Sequence, residues 1–218
     1  MTKKQPKQLV NSEYERREND AYYTDPWVTR ALLRRFGPVR TLGDVCDPAA
    51  GRGDILKAVD DAGYTGFVPK LYGYDIAAPR KRVWKGKILN QDYLDPAFEL
   101  PPYIDTVITN PPFGDLAQKF VVKTLVNPNI RRAAFLLRCN WNTSAGRKDS
   151  RRRLFDRSRP DLIPFAYEII LTERPRWDWW YVTEEQSKDN NKPFHSYSWF
   201  VWDRSWKGPS TQFWEGRQ

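Results

Sequence analysis

Apolar positions along this 218-residue chain switch repeatedly between a helical period and short strand-like runs, with glycine- and proline-bearing turns between them. Val28, Ala31, Leu32 and the Arg35/Phe36 position fall on one helical face. Asp25-Pro26 offers a cap and a first-position proline before them, and Gly37-Pro38 stops the run. A short run from Thr41 to Cys46 leads into Asp47-Pro48-Ala49-Ala50-Gly51-Arg52-Gly53-Asp54, after which Ile55, Leu56, Ala58 and Val59 resume the helical pattern. The order predicted is strand, glycine-rich turn, helix.

Leu71 to Asp75 is a second predicted strand, Lys87 to Leu89 a weak third followed by Asp92, and Ile104 to Thr109 a fourth that runs into Asn110-Pro111-Pro112-Phe113-Gly114. A helix over about 115–125 and an apolar strand over 133–137 come next. The 147–159 stretch has helical character up to Arg157. Ile163 to Thr172 and Ser196 to Trp202 read as final strands around a charged, aromatic loop from Glu173 to Phe194. Strands alternating with helices predict an α/β fold with a mainly parallel, seven-stranded sheet, helices on both faces and an antiparallel last strand. Residues 1–20 read as a loose charged arm, and 21–218 as a single domain with an inserted loop around 173–194.

Ligands of open α/β sheets bind at the carboxyl ends of the strands. Four successive strands here end in polar or glycine-rich punctuation, at Asp47 to Gly53, Asp75, Asp92 and Asn110, so these residues are expected around one crevice. Gly51 and Gly53 allow close approach of a backbone to a ligand. Asp75 follows Gly53 by 22 residues, about the spacing at which an acid accepts hydrogen bonds from ribose hydroxyls. The turn lacks the third glycine of a dinucleotide fingerprint, which favours a mononucleoside-type cofactor over NAD.

Charge sharpens the picture. Lys and Arg number 36 against 27 Asp and Glu, a net +9 that points to a polyanionic partner. Arg147, Lys148, Arg151, Arg152, Arg153, Arg157 and Arg159 crowd one stretch against Asp149 and Asp156, and Arg80, Lys81, Arg82, Lys85 and Lys87 form a second cluster with no acid in it. Such clustering suits phosphate binding with counterion release, the plainer reading being a solvated face. Arg174 and Arg176 beside Trp177, Trp179 and Trp180 are placed to stack on or wedge between bases, or to pack over the sheet edge. Trp199 and Trp202 read as structural. Cys46 and Cys139 each end an apolar run and are expected as buried free thiols in a reducing cytoplasm. A single histidine, His195, rules out a Cys/His zinc cluster. No apolar run is long enough for a membrane span, and no apolar stretch follows the basic N-terminus as in a secretory signal.

Thr109-Asn110-Pro111-Pro112-Phe113 resembles motif IV of amino-methyltransferases, in its asparagine form. Asp47-Pro48-Ala49-Ala50-Gly51-Arg52-Gly53 resembles the cofactor motif of adenine methyltransferases, and Tyr23-Thr24-Asp25-Pro26 looks like their Tyr-x-Thr-Pro segment with Asp25 inserted or displaced. The resemblance spans roughly residues 22–140, with the cofactor motif first, the order of the gamma-type DNA adenine-N6 enzymes. It implies a Rossmann-like class I methyltransferase fold and S-adenosylmethionine as cofactor. That cofactor would be held by Thr24, Asp47, Pro48, Ala49, Gly51, Gly53, Asp75 with Ile76, Asp92 with Tyr93, and Asn110. Asn110, Pro111, Pro112 and Phe113 would be catalytic, with Phe113 stacking on an adenine flipped out of DNA or already unpaired. Arg147, Lys148, Arg151, Arg152, Arg153, Arg174, Arg176 and Trp177 are the expected nucleic-acid contacts. No metal is required. An RNA-base or protein-glutamine methyltransferase of the same fold, or a catalytically silent nucleic-acid-binding subunit, remains open on the same residues. With 105 residues after Phe113, sequence specificity is expected from the 173–194 loop, the 147–159 stretch and the tail, or from a partner.

Overall fold

The computed structural model describes residues 23–63, 69–77, 81–143, 150–173 and 196–217. Arg147, Lys148, Arg174, Arg176, Trp177 and His195, the 173–194 loop beyond Glu173, and the arm over 1–20 lie outside the described residues.

Among the described residues eight strands form one sheet: β1 (Asp44–Asp47), β2 (Leu71–Asp75), β3 (Ile88–Asn90), β4 (Ile104–Thr109), β5 (Arg132–Arg138), β6 (Phe165–Leu171), β7 (Tyr197–Asp203) and β8 (Thr211–Glu215). Their order is β3-β2-β1-β4-β5-β7-β6-β8. β7 runs antiparallel between β5 and β6, and every other neighbouring pair is parallel. The expected parallel sheet with an antiparallel strand near its end is present. It differs from the expectation in having an eighth strand, and the antiparallel β7 lies between β5 and β6.

The α-helices of the described residues are α1 (Pro26–Phe36), α2 (Asp54–Ala62) and α3 (Asp115–Leu125). The cap expected at α1 is made: the Asp25 carboxylate accepts the Trp27 N–H at 3.3 Å, with Pro26 beside it. Gly37 ends the helix at φ +77, its N–H donating to the Leu33 carbonyl at 3.1 Å. Arg34 and Arg35, in the last turn, both pair with the buried Glu215 carboxylate, at 2.8 and 2.6 Å. These bonds fasten the edge strand β8 to α1. Among its described residues, 150–159, the basic stretch is helical only as a 3-10 turn over Ser150–Phe155.

Successive strand residues point to opposite faces, and the core divides accordingly. Val45, Ile108, Ala134, Leu136, Trp199 and Val201 pack with α1 and with Ile55 and Val59 of α2. Cys46, Val107, Ala133, Phe135, Leu137, Phe200 and Trp202 pack with α3 and with Leu154 of the 3-10 turn. Both faces are therefore covered, as near-continuous apolar parallel strands require. Trp199 and Trp202 are fully buried, as expected, their ring N–H groups donating to the carbonyls of Val28 and Leu154 at 2.8 Å. Cys46 is buried and free. Cys139 corrects the expectation of two buried thiols: it is half-buried, its sulfur 2.9 Å from the Ser198 hydroxyl. Among the described residues no helix is long and apolar enough to cross a membrane.

Candidate active site

The glycine turn is built by backbone geometry that only its sequence permits. Asp47, buried at the end of β1, accepts the Ala49 N–H at 3.1 Å. The Ala50 N–H reaches the Tyr74 carbonyl at 2.9 Å, tying the turn to β2. Gly51 takes φ +51, which turns its N–H onto the Asp75 carboxylate at 2.8 Å; the other carboxylate oxygen accepts from Ala77 at 2.9 Å. Gly53 takes φ +88 and begins α2. A β-carbon there would also lie 2.6 Å from Trp84 Cβ, so the position needs glycine for space as well as for conformation.

Across from the turn, Tyr23 and Thr24 lead into α1. Arg52 lies over the Tyr23 ring, 4.0 Å from its centroid, and pairs with Asp54 at 2.9 Å. Asn110, directly after β4, donates its side-chain N–H to the buried Thr24 hydroxyl at 3.3 Å. This bond engages the NH2 end of the Asn110 amide, and its oxygen is buried. One crevice results, lined by Tyr23, Thr24, Asp47, Ala49, Ala50, Gly51, Asp54, Ile55 and Asn110.

The crevice is acidic. Burial pushes the Asp47 carboxyl up to about 7, the Thr109 hydroxyl and the Ala49 N–H oppose that shift, and the carboxylates of Asp75 and Asp54 add to it. A buried carboxylate crowded by two others suits a ligand that brings positive charge. Asp75, with two backbone donors in place, still has lone pairs for a pair of hydroxyls. The exposed Ile76 beside it offers a flat apolar surface. These are the features that a nucleoside with a sulfonium and an ammonium group requires, and the residues present fit such a cofactor.

Thr24, Asp47, Ala49, Gly51 and Asn110 line the crevice, Gly53 caps α2 beside it, and Pro48 is buried. Asp92 is exposed past the end of β3, where its carboxylate accepts the Leu94 N–H at 2.8 Å. Tyr93 departs from the expectation. Its ring is 1% exposed against Phe98 and Phe120, and its hydroxyl meets Thr124 at 2.8 Å, so the side chain belongs to the core under α3. Tyr23 and Ala50, inside the quoted motifs, and Asp54 and Ile55, just after them, also line the crevice, although none of the four is among the expected cofactor contacts. The first-turn position of Asp54 after a glycine pair is the signal available for it.

Pro111 is buried, Pro112 and Phe113 half-buried, and Gly114 at φ +76 opens α3. Phe113 rests against Tyr197 at the start of β7, ring centroids 6.1 Å apart, with the Arg138 guanidinium 5.9 Å from its own centroid. Arg152 and Arg153 are exposed on the 3-10 turn, whereas Arg151 is half-buried, donating to the Trp141 carbonyl at 3.2 Å.

Comparison with known proteins places this geometry in a fold. No protein-family model and no curated protein matches the chain. Solved structures do. A modification subunit assigned to a type I restriction enzyme of Vibrio vulnificus aligns over 89% of this chain and 46% of its own, at 18% identity and TM-score 0.54. A protein of Listeria monocytogenes assigned to the class I S-adenosylmethionine-dependent methyltransferases aligns over 89% of this chain and 65% of its own, at 14% identity and TM-score 0.54. The methyltransferase subunit of a type I restriction-modification system from Streptococcus thermophilus aligns over 86% and 46%, at 12% identity and TM-score 0.52. The fold is that of the class I S-adenosylmethionine-dependent methyltransferases. The chain spans about half the length of the two restriction-system subunits. Ligands of open α/β sheets bind beyond the carboxyl ends of the strands, where the glycine turn and Asp75 stand here.

Proposed function

We propose that the protein transfers a methyl group from S-adenosylmethionine to the exocyclic amino nitrogen of adenine in DNA. The observation that carries this reading is Asn110, followed by two prolines and an aromatic ring, on the wall of the same crevice as the glycine turn. Restriction-system modification subunits among the structures of like fold support it.

The bound cofactor supplies an electrophilic methyl group on sulfur. Asp75 would hold the ribose hydroxyls of that cofactor and Ile76 would cover its adenine, with Asp92 beside it; Asp47, Thr24, Ala49 and the two glycines would hold its cationic end. The amino nitrogen of adenine is a weak nucleophile because its lone pair is delocalised into the ring. The Asn110 side-chain oxygen and the Pro111 main-chain carbonyl accept its two hydrogens and draw the nitrogen toward tetrahedral geometry, which localises the pair for in-line attack. Pro111 and Pro112 keep these acceptors in place, so that positioning lowers most of the barrier. After transfer, the extra proton leaves the amino nitrogen to solvent. Phe113 stacks on the base, which must be flipped out of a duplex or single-stranded. Arg152 and Arg153, with Arg147, Lys148, Arg174, Arg176 and Trp177, contact the nucleic acid, whereas Arg151 is held against Trp141.

The test is incubation of the purified protein with S-adenosylmethionine and matched DNA or RNA, followed by nucleoside mass spectrometry. N6-methyladenine in the DNA is expected. Methylation confined to RNA, or none with either substrate, overturns the reading.

A further inference from the structure

Most arginines of the described residues that make polar contacts serve the fold. Arg132 pairs with Asp203, Arg34 and Arg35 with Glu215, Arg159 with Asp161 and Arg217 with Asp25, while Arg204 caps backbone carbonyls. Arg138 is placed differently. Six buried residues of β5 precede it, and it alone on that strand is exposed, at the carboxyl end where ligands of this fold are received. Its register partner is Tyr197, and its guanidinium stands 5.9 Å from the centre of the Phe113 ring that Tyr197 supports. Among the described residues no carboxylate pairs with it. A fixed cation is thus held by a rigid central strand beside the aromatic ring that follows Asn110-Pro111-Pro112.

We propose that Arg138 binds a backbone phosphate of the target nucleotide, so that an extruded adenylate is gripped at its base by Phe113 and at its phosphate by Arg138. This rests on the reading of Phe113 as a base platform in a nucleic-acid amino-methyltransferase. A base lying on Phe113 carries its own phosphates just beyond the ring, on the scale of the distance separating that ring from the guanidinium. A guanidinium fork matches two phosphate oxygens where a lysine offers only a point charge. Because Arg138 lies outside the residues lining the cofactor crevice, it acts on nucleic-acid binding alone. It is a positioning residue for the phosphate, and the amino group reacts elsewhere.

The experiment uses the full chain and single-stranded oligonucleotides with one adenine, unmodified or carrying a neutral methylphosphonate on either side of the target nucleoside. Arg138→Ala is expected to raise KM for the unmodified oligonucleotide about tenfold, the worth of one charge-assisted bond. It should flatten the salt dependence of binding by about 0.7 in log–log slope and leave S-adenosylmethionine affinity by calorimetry unchanged. Arg138→Lys should recover the slope and part of the KM. The deciding arm is the cycle: one of the two neutral linkages should weaken the wild type about as much as Arg138→Ala does, and have no further effect on that variant. Additive losses at both linkages, or a silent Arg138→Ala with the wild type active, overturn the assignment while leaving the methyltransferase reading intact. A wild type that methylates no oligonucleotide overturns the reading itself.

Discussion

The two halves of the sheet differ in what their buried positions hold. From β3 to β4 the strands are three to six residues long, and they end at Asp47, Asp75, Asn90 and Thr109, with glycine turns or prolines beyond. From β5 through β7 and β6 they are seven residues long, and every residue of β7 is buried. There Phe155, Phe165, Phe200 and Trp202 pack edge to face and tilted, with ring centroids 4.8 to 6.4 Å apart. Short strands leave polar ends converging on a crevice, and long apolar strands hold those ends still. Substitutions should therefore separate: loss of fold on the aromatic side, loss of chemistry on the other.

The largest expected effect is on the aromatic side. Trp202→Ala removes a fully buried ring and strands the Leu154 carbonyl that its N–H satisfies. Destabilisation of about 3–5 kcal/mol is expected in chemical denaturation. A variant of unchanged stability with weakened cofactor binding would break the division between the halves.

On the crevice side, Asn110→Ala should lower methyl transfer by about 10²–10³-fold, the effect of losing one preorganised group in a reacting site. Stability and S-adenosylmethionine affinity should hardly change. Turnover comparable to wild type would remove Asn110 from the chemistry.

Asp47 sharpens the comparison, because it is a crevice residue whose charge opposes folding. Its carboxyl rises from 3.8 to about 7 through burial, so the native state holds a proton there that the unfolded chain has released. Taken alone, Asp47 makes the free protein less stable as pH rises from about 4 to 7. The cationic cofactor prefers the ionised form, so its affinity should rise over the same window, with a limiting slope of tenfold per pH unit. Asp47→Asn should abolish this pH dependence in calorimetry, whereas a slope that persists in the variant assigns the proton to another group.

The crevice half is readable in the sequence at its strand ends, because glycine pairs, acids and prolines interrupt apolar runs there. What depends on packing across the fold is not. Gly73 lies inside β2, where a β-carbon would come within 2.9 Å of Leu56 and 3.0 Å of Ile88, a demand visible only once α2 and β3 are packed. Trp84 sits among basic residues with no apolar pattern around it, yet it is buried against Gly53. Tyr93 is expected at the cofactor only through the resemblance, and past the end of β3 at Asn90 the chain instead buries its ring. β8 escapes a reading by pattern because its five residues alternate weakly and its charged Glu215 is buried only through Arg34 and Arg35.

The smallest expected effect concerns the basic stretch, which reads as one cluster in the sequence and is divided in the fold. Arg151 packs its guanidinium over Trp141, 5.7 Å from the ring centroid, and bonds its carbonyl. Arg157 donates to the Gly208 carbonyl, in the loop that leaves the opposite end of β7, at 2.7 Å. Arg152 and Arg153 stand exposed on the turn between them. Arg151→Ala should therefore cost about 1 kcal/mol of stability. The Arg152→Ala/Arg153→Ala pair should leave stability alone and weaken DNA binding a few-fold, lowering the salt slope by about one for each phosphate no longer neutralised. A salt slope unchanged in the pair, or lowered equally by Arg151→Ala, would show that exposure on this turn does not mark the nucleic-acid contacts.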